Sequence, residues 1–382
     1  MRIAEAFKTQ FNTEFRLFAA PGRINLIGEH TDYNQGFVFP AAIDLEMQLA
    51  VSPSDGSEFT ILALDQNEIC SFGPAHETER LPQWARYPFG VIMEMAREGR
   101  QIGGFSAVLA GNIPAGAGLS SSAALESVFA MALNELFSLG FTKKELALIG
   151  QRAEHNYAGV NCGIMDQYAS LFGKAHHAIQ LDCRSLEHKE IPMTMNGHGL
   201  LLLDSRVKHS LAASAYNQRR NECEEGLKWL QRHKPEATSL RDFSAAEIRV
   251  HLEQMPGTLY RRCLYVAQEN ERVLQFSSLL QQAEPGRGGR LLFASHQGLS
   301  QLYEVSCPEL DLLVDIAKQT EGVAGARMMG GGFGGCTLNL IKTDKMEHLE
   351  RKAKTRIAEG FGHEPAAYQV KISQGAREQK LL

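Results

Sequence analysis

Apolar residues repeat along this chain with two periods, and the switch between them outlines its elements. Leu45, Met47, Leu49 and Val51 alternate with other residues, which predicts a half-buried strand. Gly56 and its neighbours predict a hairpin turn from that strand into another, Phe59 to Leu64. Phe15 to Ala20 and Phe105 to Leu109 read as strands, Leu200 to Ser205 as a central strand, and Val323 to Met329 with Cys336 to Ile341 as a pair around glycines. Helical spacing appears at Ile3, Phe7 and Phe11, and over residues 82–99. It is clearest at Leu125, Val128, Phe129, Ala132, Leu133, Leu136 and Phe137, a helix that Gly140 is expected to close. Thr142-Lys143-Lys144-Glu145 is a capping box. It opens a helix running to about Gly159 with Leu146, Ile149, Ala153 and Tyr157 inward. A short helix from Gly163 to Gly173 follows. Helices are predicted over 208–233, 244–252, 258–282, 291–304 and 308–321, with 285–290 as a flexible loop. A last helix and a strand through Tyr368, Val370 and Ile372 end the pattern. Mixed hairpins and helices over 382 residues predict an α+β chain of two lobes, 1–195 and 196–382.

Composition narrows the function classes. Hydrophobic residues make up 44 %, enough for two cores, and a net charge of −5 argues against a nucleic-acid-binding surface. The longest purely aliphatic run, Leu200 to Leu203, is far short of the ~20 residues of a membrane span. The amino-terminal residues are charged and lack a signal-peptide core. Seven scattered cysteines without a C-x-x-C pair fit free thiols in a reducing cytoplasm. The expectation is a cytoplasmic protein, a monomer, with neither nucleic acid nor membrane as partner.

Three stretches carry candidate chemistry. Pro114 to Ala123 is a glycine and serine turn running into the amphipathic helix. Such a helix start carries roughly +0.5 of a charge and binds phosphate readily. A cap needs one serine, and three hydroxyls beside two glycines favour a phosphate cradle. Ala20 to Tyr33 interleaves Arg23, Asn25, Glu29, His30, Asp32 and Tyr33 with Ile24, Leu26 and Ile27. The apolar residues anchor the segment, so the polar ones face a shared cavity or water, and a cavity fits better. Gly330 to Gly335 matches G-x-G-x-x-G by letter, but a strand follows where a dinucleotide fold needs a helix. A tight hairpin with its backbone close to another segment fits better. Glu154 lies beside an inward stripe, as a wet boundary carboxylate or a metal ligand. Asp166 sits in a first helical turn, where it complements the dipole or, if half-buried, needs a partner. No G-x-x-x-x-G-K-[ST] occurs, and the phosphate turn has no lysine. Nucleotide charge must then be met by N–H groups, serines and a metal.

Gly22-Arg23-Ile24-Asn25-Leu26-Ile27-Gly28-Glu29-His30-Thr31-Asp32-Tyr33 resembles the signature of galactokinases. Gly116-Ala117-Gly118-Leu119-Ser120-Ser121-Ser122 resembles the nucleotide motif of the wider GHMP kinases, and Gly330 to Cys336 their third motif. Asn161 to Gln167 is also similar to galactokinases. The resemblance implies a two-lobed GHMP kinase fold with the active site between the lobes. It implies ATP-dependent phosphorylation of D-galactose at the C1 hydroxyl, with Mg2+ required. By position, Glu29, His30, Thr31 and Asp32 would meet the sugar, with Gly163 and Tyr216 completing the pocket. Asp166 would be the catalytic carboxylate and a sugar contact, with Arg23 its charged partner. Gly116, Ala117, Gly118, Leu119, Ser120, Ser121 and Ser122 would wrap the ATP phosphates, and Ser122 with Glu154 would hold magnesium. Two departures stand out: Met329 replaces the threonine expected before the glycines, and Ile372 to Ala376 lacks a proline. A related kinase for N-acetylgalactosamine or arabinose, or a non-catalytic sensor of galactose and ATP, are the alternatives, although Ser121-Ser122-Ala123-Ala124 is unbroken.

Overall fold

The computed structural model describes residues 2–114, 116–207, 212–282 and 285–380. Its strands are β1 (Arg16–Asn25), β2 (Phe37–Val38), β3 (Pro40–Pro53), β4 (Phe59–Ala63), β5 (Glu68–Phe72), β6 (Phe105–Gly111), β7 (His177–Asp182), β8 (His188–Pro192), β9 (His198–Asp204), β10 (Val323–Met328), β11 (Cys336–Lys342), β12 (Ala366–Val370) and β13 (Arg377–Gln379). The helices are α1 (Arg2–Phe11), α2 (Arg86–Arg97), α3 (Ser121–Leu136), α4 (Lys143–Ala153), α5 (Met165–Phe172), α6 (Ala212–Leu230), α7 (Ala245–Arg249), α8 (Gly257–Gln281), α9 (Pro285–Gly298), α10 (Pro308–Lys318) and α11 (Met346–Phe361). Residues 208–211, in the stretch expected to begin α6, lie outside the described residues.

A six-stranded sheet runs β13-β1-β3-β6-β4-β5, a four-stranded sheet β10-β11-β9-β12, and a small sheet β2-β7-β8. Leu49 and Val51 of β3 pack with Val128, Phe129 and Leu133 of α3. Between them Ala50 faces the other way, against Ile3 and Phe7 of α1. Both faces are covered there, so Leu49 to Val51 are fully buried, while Leu45 and Met47 are half-buried as expected. Leu200 to Leu203 behave similarly. Leu200 and Leu202 join a core with Ile24, Phe39 and Leu338, while Leu201 and Leu203 meet Leu313, Leu349 and Ile357 from α10 and α11. That first core contains residues of β1, β9 and β11 together, so it packs the two sheets against each other.

Three expectations need correction. The turn at Gly56 does not make β3 and β4 a hairpin. β6 lies between them, antiparallel to β3 and parallel to β4. Its apolar residues take that central place, and the turn wraps its start: Ser54 N–H donates to Gly104 O at 2.8 Å and Gly104 N–H to Gly56 O at 3.0 Å. Helix α3 ends before Gly140. Ser138 adopts the left-handed conformation and Leu139 N–H reaches back to Asn134 O at 3.0 Å. The Asn134 amide also exchanges two bonds with the backbone of Phe141, which fixes the exit of the chain. Residues 285–290 belong to α9, not to a loop. A Cβ on Gly289 would stand 2.1 Å from Ala324 O, so glycine there lets the helix lie against β10.

Candidate active site

Helix α3 begins without a side-chain cap. Ser120 sits at the N-cap position in the left-handed region, φ 57°, and makes no capping bond. The first N–H groups of an α-helix have no intrahelical partner. Here they open on a cleft of 330 Å³ lined by Gly116, Gly118, Leu119, Ser120, Ser121 and Ser122, among others. Ala117 is buried and turns away from it into the core.

The Ser120 hydroxyl donates instead to Asp166 Oδ2. Asp166 is in the first turn of α5, yet its oxygens do not cap that helix. Arg23 grips them with two bonds, Nε to Oδ1 at 2.7 Å and Nη2 to Oδ2 at 2.9 Å. Such a forked pair fixes orientation as well as charge. Arg23 also holds the phosphate turn, through Nη1 to Gly118 O at 2.7 Å and its N–H to Leu119 O at 3.1 Å. The β1–β3 register shifts between Pro21 and Arg23, a bulge of the sort that re-aims a side chain. Arg23 therefore joins the polar segment after β1, the phosphate turn and Asp166.

The opposite wall is nearly saturated with its own bonds. His30 Nε2 donates to Gly331 O at 3.2 Å, which leaves Nδ1 to accept from Tyr33 Oη at 2.7 Å. Tyr33 in turn meets Tyr303 Oη at 2.7 Å. Burial drives the His30 pKa down to about 3, so the ring is neutral and its tautomer is fixed by these partners. Glu29 Oε1 accepts from Gly330 N–H at 2.8 Å and pairs with Arg327 Nη2 at 2.9 Å. The Tyr216 ring stands 5.2 Å from that of His30. Asp32 presses its carboxylate against Gly163, where a Cβ would lie 1.9 Å from Oδ2. Only glycine fits there. Burial, and then the charge of Asp166, push the Asp32 pKa up to about 7.

Glu29, His30, Asp32, Gly163, Asp166 and Tyr216 thus meet in the same cleft as the phosphate turn, with Gly330, Gly331 and Gly332 on its rim. The glycine hairpin does lie close to other segments, as its composition suggested. Thr31 is placed differently: its hydroxyl lies within hydrogen-bonding distance of Gly28 O and Phe37 O, and it does not line the cleft. Met329 is buried, and its sulfur accepts from Asn25 N–H at 3.4 Å. That departure affects packing behind the cleft.

Glu154 is not a wet boundary residue. It is 7 % exposed, at the start of a single wider turn, Glu154–Ala158, that extends α4. Such turns gather at functional sites. Ser122 Oγ donates to its Oε1 at 3.1 Å; Gln167 Nε2 at 2.8 Å and Cys162 Sγ at 3.3 Å approach Oε2. Burial, with the charge of Asp166, raises its pKa. Among the described residues no group of three or more His, Cys, Asp or Glu could hold a metal. One hydroxyl and one carboxylate suit Mg2+, which keeps waters and takes further oxygens from phosphates. Four residues around the site were missed in the sequence: Gln167 and Cys162, which bond Glu154, Arg327, which pairs with Glu29, and Glu126, which shares Gln167 with Glu154. A glutamate in the apolar run Ala123 to Phe129, and an arginine in Val323 to Met328, were the available signals.

Residues 5–53 match the galactokinase galactose-binding signature, 86–174 the GHMP kinases N terminal domain and 277–358 the GHMP kinases C terminal domain. The chain is 41 % identical to the galactokinase of Thermosipho africanus over 361 residues, 94 % of this chain and 99 % of that one. It is 41 % identical to the galactokinase of Thermotoga maritima over 360 residues, with the same coverage. The structure of Lactococcus lactis galactokinase complexed with galactose superposes with a TM-score of 0.94 at 33 % identity, covering 98 % of both chains. Mevalonate kinase of Methanococcus jannaschii, at 16 % identity and a TM-score of 0.64 over 94 % of this chain and 99 % of that one, shares the fold. The chain belongs to the galactokinase family of the GHMP kinases.

Proposed function

We propose that this kinase transfers the γ-phosphoryl group of ATP to the C1 hydroxyl of D-galactose, giving α-D-galactose 1-phosphate and ADP, the first committed step of galactose catabolism. One observation carries the chemistry. Asp166, held by Arg23 and Ser120, stands between the wall of sugar-signature residues and the uncapped start of α3. The N–H groups of that helix start receive the phosphates. Glu29, His30, Asp32 and Tyr216 receive the sugar, and Gly163 lets Asp32 stand where it does. Asp166 accepts the C1 proton as the sugar oxygen bonds to phosphorus, and Arg23 balances its charge. Ser122 and Glu154 would hold Mg2+, which neutralises charge on the phosphates. Such a reaction is mostly positioning and charge compensation.

The reading extends to organisation. Residues 1–195 and 196–382 form the two lobes, except that β13 returns to the first sheet. Seven free cysteines support a cytoplasmic setting. No helix among the described residues is long and apolar enough to cross a membrane.

An ADP-release assay over a panel of monosaccharides tests the assignment. A site that bonds a hydroxyl rejects an epimer that misplaces it. Galactose is expected to be turned over far faster than glucose, N-acetylgalactosamine or arabinose. Equal rates on galactose and glucose would overturn the reading, and ATP binding without turnover would point to a sensor.

A further inference from the structure

Behind the phosphate turn lies a carboxyl group that the reaction does not use. Glu126 is on the second turn of α3 and fully buried. In the sequence it falls within the apolar run of Ala123, Ala124, Leu125 and Val128, and burial pushes its pKa well above the usual carboxylate range. Burying a carboxyl is expensive unless it is bonded. Its Oε2 accepts from Gln167 Nε2 at 2.8 Å. The same nitrogen donates to Glu154 Oε2, also at 2.8 Å. One side-chain amide nitrogen thus uses its two hydrogens on two carboxyl groups.

The geometry decides which way the amide faces. Turned over, its carbonyl oxygen would confront the carboxylate that Glu154 must carry to bind magnesium. As it stands, that oxygen has no hydrogen-bond partner among the described residues, and the nitrogen has two. With Oε2 of Glu154 held by Gln167 and Cys162, Oε1 is left toward Ser122. We propose that Glu126, acting through Gln167, is a positioning residue that holds the Glu154 carboxylate with Oε1 presented beside Ser122. The inference rests on Glu154 and Ser122 being the magnesium ligands. Partners of this kind typically contribute 10- to 100-fold to metal affinity.

The test compares four variants. Glu126→Gln keeps an oxygen that accepts from Gln167, Glu126→Leu removes it, Gln167→Met removes the donor, and Glu154→Ala removes the ligand. Two quantities are read. One is the free Mg2+ giving half-maximal turnover at saturating galactose. The other, independent of turnover, is calorimetric binding of a non-hydrolysable ATP analogue with Mg2+ and, separately, of galactose. Glu126→Leu and Gln167→Met are expected to weaken magnesium-nucleotide binding at least about tenfold. Galactose affinity should change less than twofold (an order-of-magnitude bound), and Glu126→Gln should stay near the parent. Parent-like magnesium dependence in Gln167→Met would overturn the proposal even if Glu126→Leu fails to fold. So would equal weakening of both ligands in step with thermal stability, which is the behaviour of a core residue. If Glu154→Ala leaves the magnesium dependence intact, the ligand assignment itself has failed. A response in Glu154→Ala alone defeats only the positioning role.

Discussion

The two walls of the cleft are built on opposite principles. On the sugar side, His30, Tyr33 and Glu29 are already bonded within the protein, so their positions are set before a ligand arrives. On the phosphate side, the start of α3 is left uncapped and the serine hydroxyls reach toward carboxylates. Preorganised donors and acceptors discriminate among hydroxyl patterns. Open N–H groups and a ligand pair would serve an anion and a cation that every turnover brings and removes. On the proposed reading, specificity belongs to the saturated wall and affinity for charge to the open one, with Arg23 and Asp166 between them.

Variants can break this division. The largest effect is expected at the centre: Asp166→Asn should lower turnover ~10²–10⁴-fold, the range of a positioned general base. Binding of galactose and a parent-like unfolding temperature would show the site intact, and a loss of only a few-fold would remove Asp166 from the chemistry. Glu154→Ala should raise the magnesium requirement by about 100-fold, since a metal supplies several kcal/mol of charge stabilisation. Galactose binding without nucleotide should stay near normal, as calorimetry would register. On the other wall, Gly163→Ala should push the Asp32 carboxylate aside at a cost of about 1–3 kcal/mol. The KM for galactose is expected to rise ~10-fold, with the magnesium requirement unchanged; a shift in both would mean that the walls are coupled.

The smallest effect is with pH. The folded pKa of Asp32, about 7, lies above its ordinary 3.8. Without ligand, its contribution to stability is fully present below the unfolded value and falls as pH rises through about 7. An ionised carboxylate is the stronger acceptor for a sugar hydroxyl. Galactose affinity should thus rise a few-fold, roughly, between pH 6 and 8, while the unliganded unfolding temperature drops. Asp32→Asn should flatten both trends. Unfolding scans and titrations at the two pH values read them directly.

The open wall was more legible in the sequence than the saturated one. Glycines and serines ahead of an apolar stripe announce an exposed helix start, because local chemistry alone makes it. The sugar residues could be picked out as polar positions anchored by Ile24 and Leu26, but not their bonds to Gly330 and Gly331 more than 300 residues away along the chain, 301 by count. Thr31 shows the limit, since its hydroxyl closes a local turn that spacing could not distinguish from a cleft contact. Residues 285–290 misled for a related reason. Glycines that mark a loop in isolation serve here as close packing against β10, which only tertiary structure reveals.

The strand β13 has a consequence for synthesis. It pairs with β1 through Ala19 and Arg377, and Arg16 binds Glu378 across 362 residues of chain. At ~5–20 residues per second, β1 leaves the ribosome roughly 20–70 s before the strand that completes its edge. For that interval the nascent amino-terminal half carries an open strand edge, a template for wrong pairing. Yield in the cell should therefore be governed by what shields β1 during translation as much as by the stability of the finished fold.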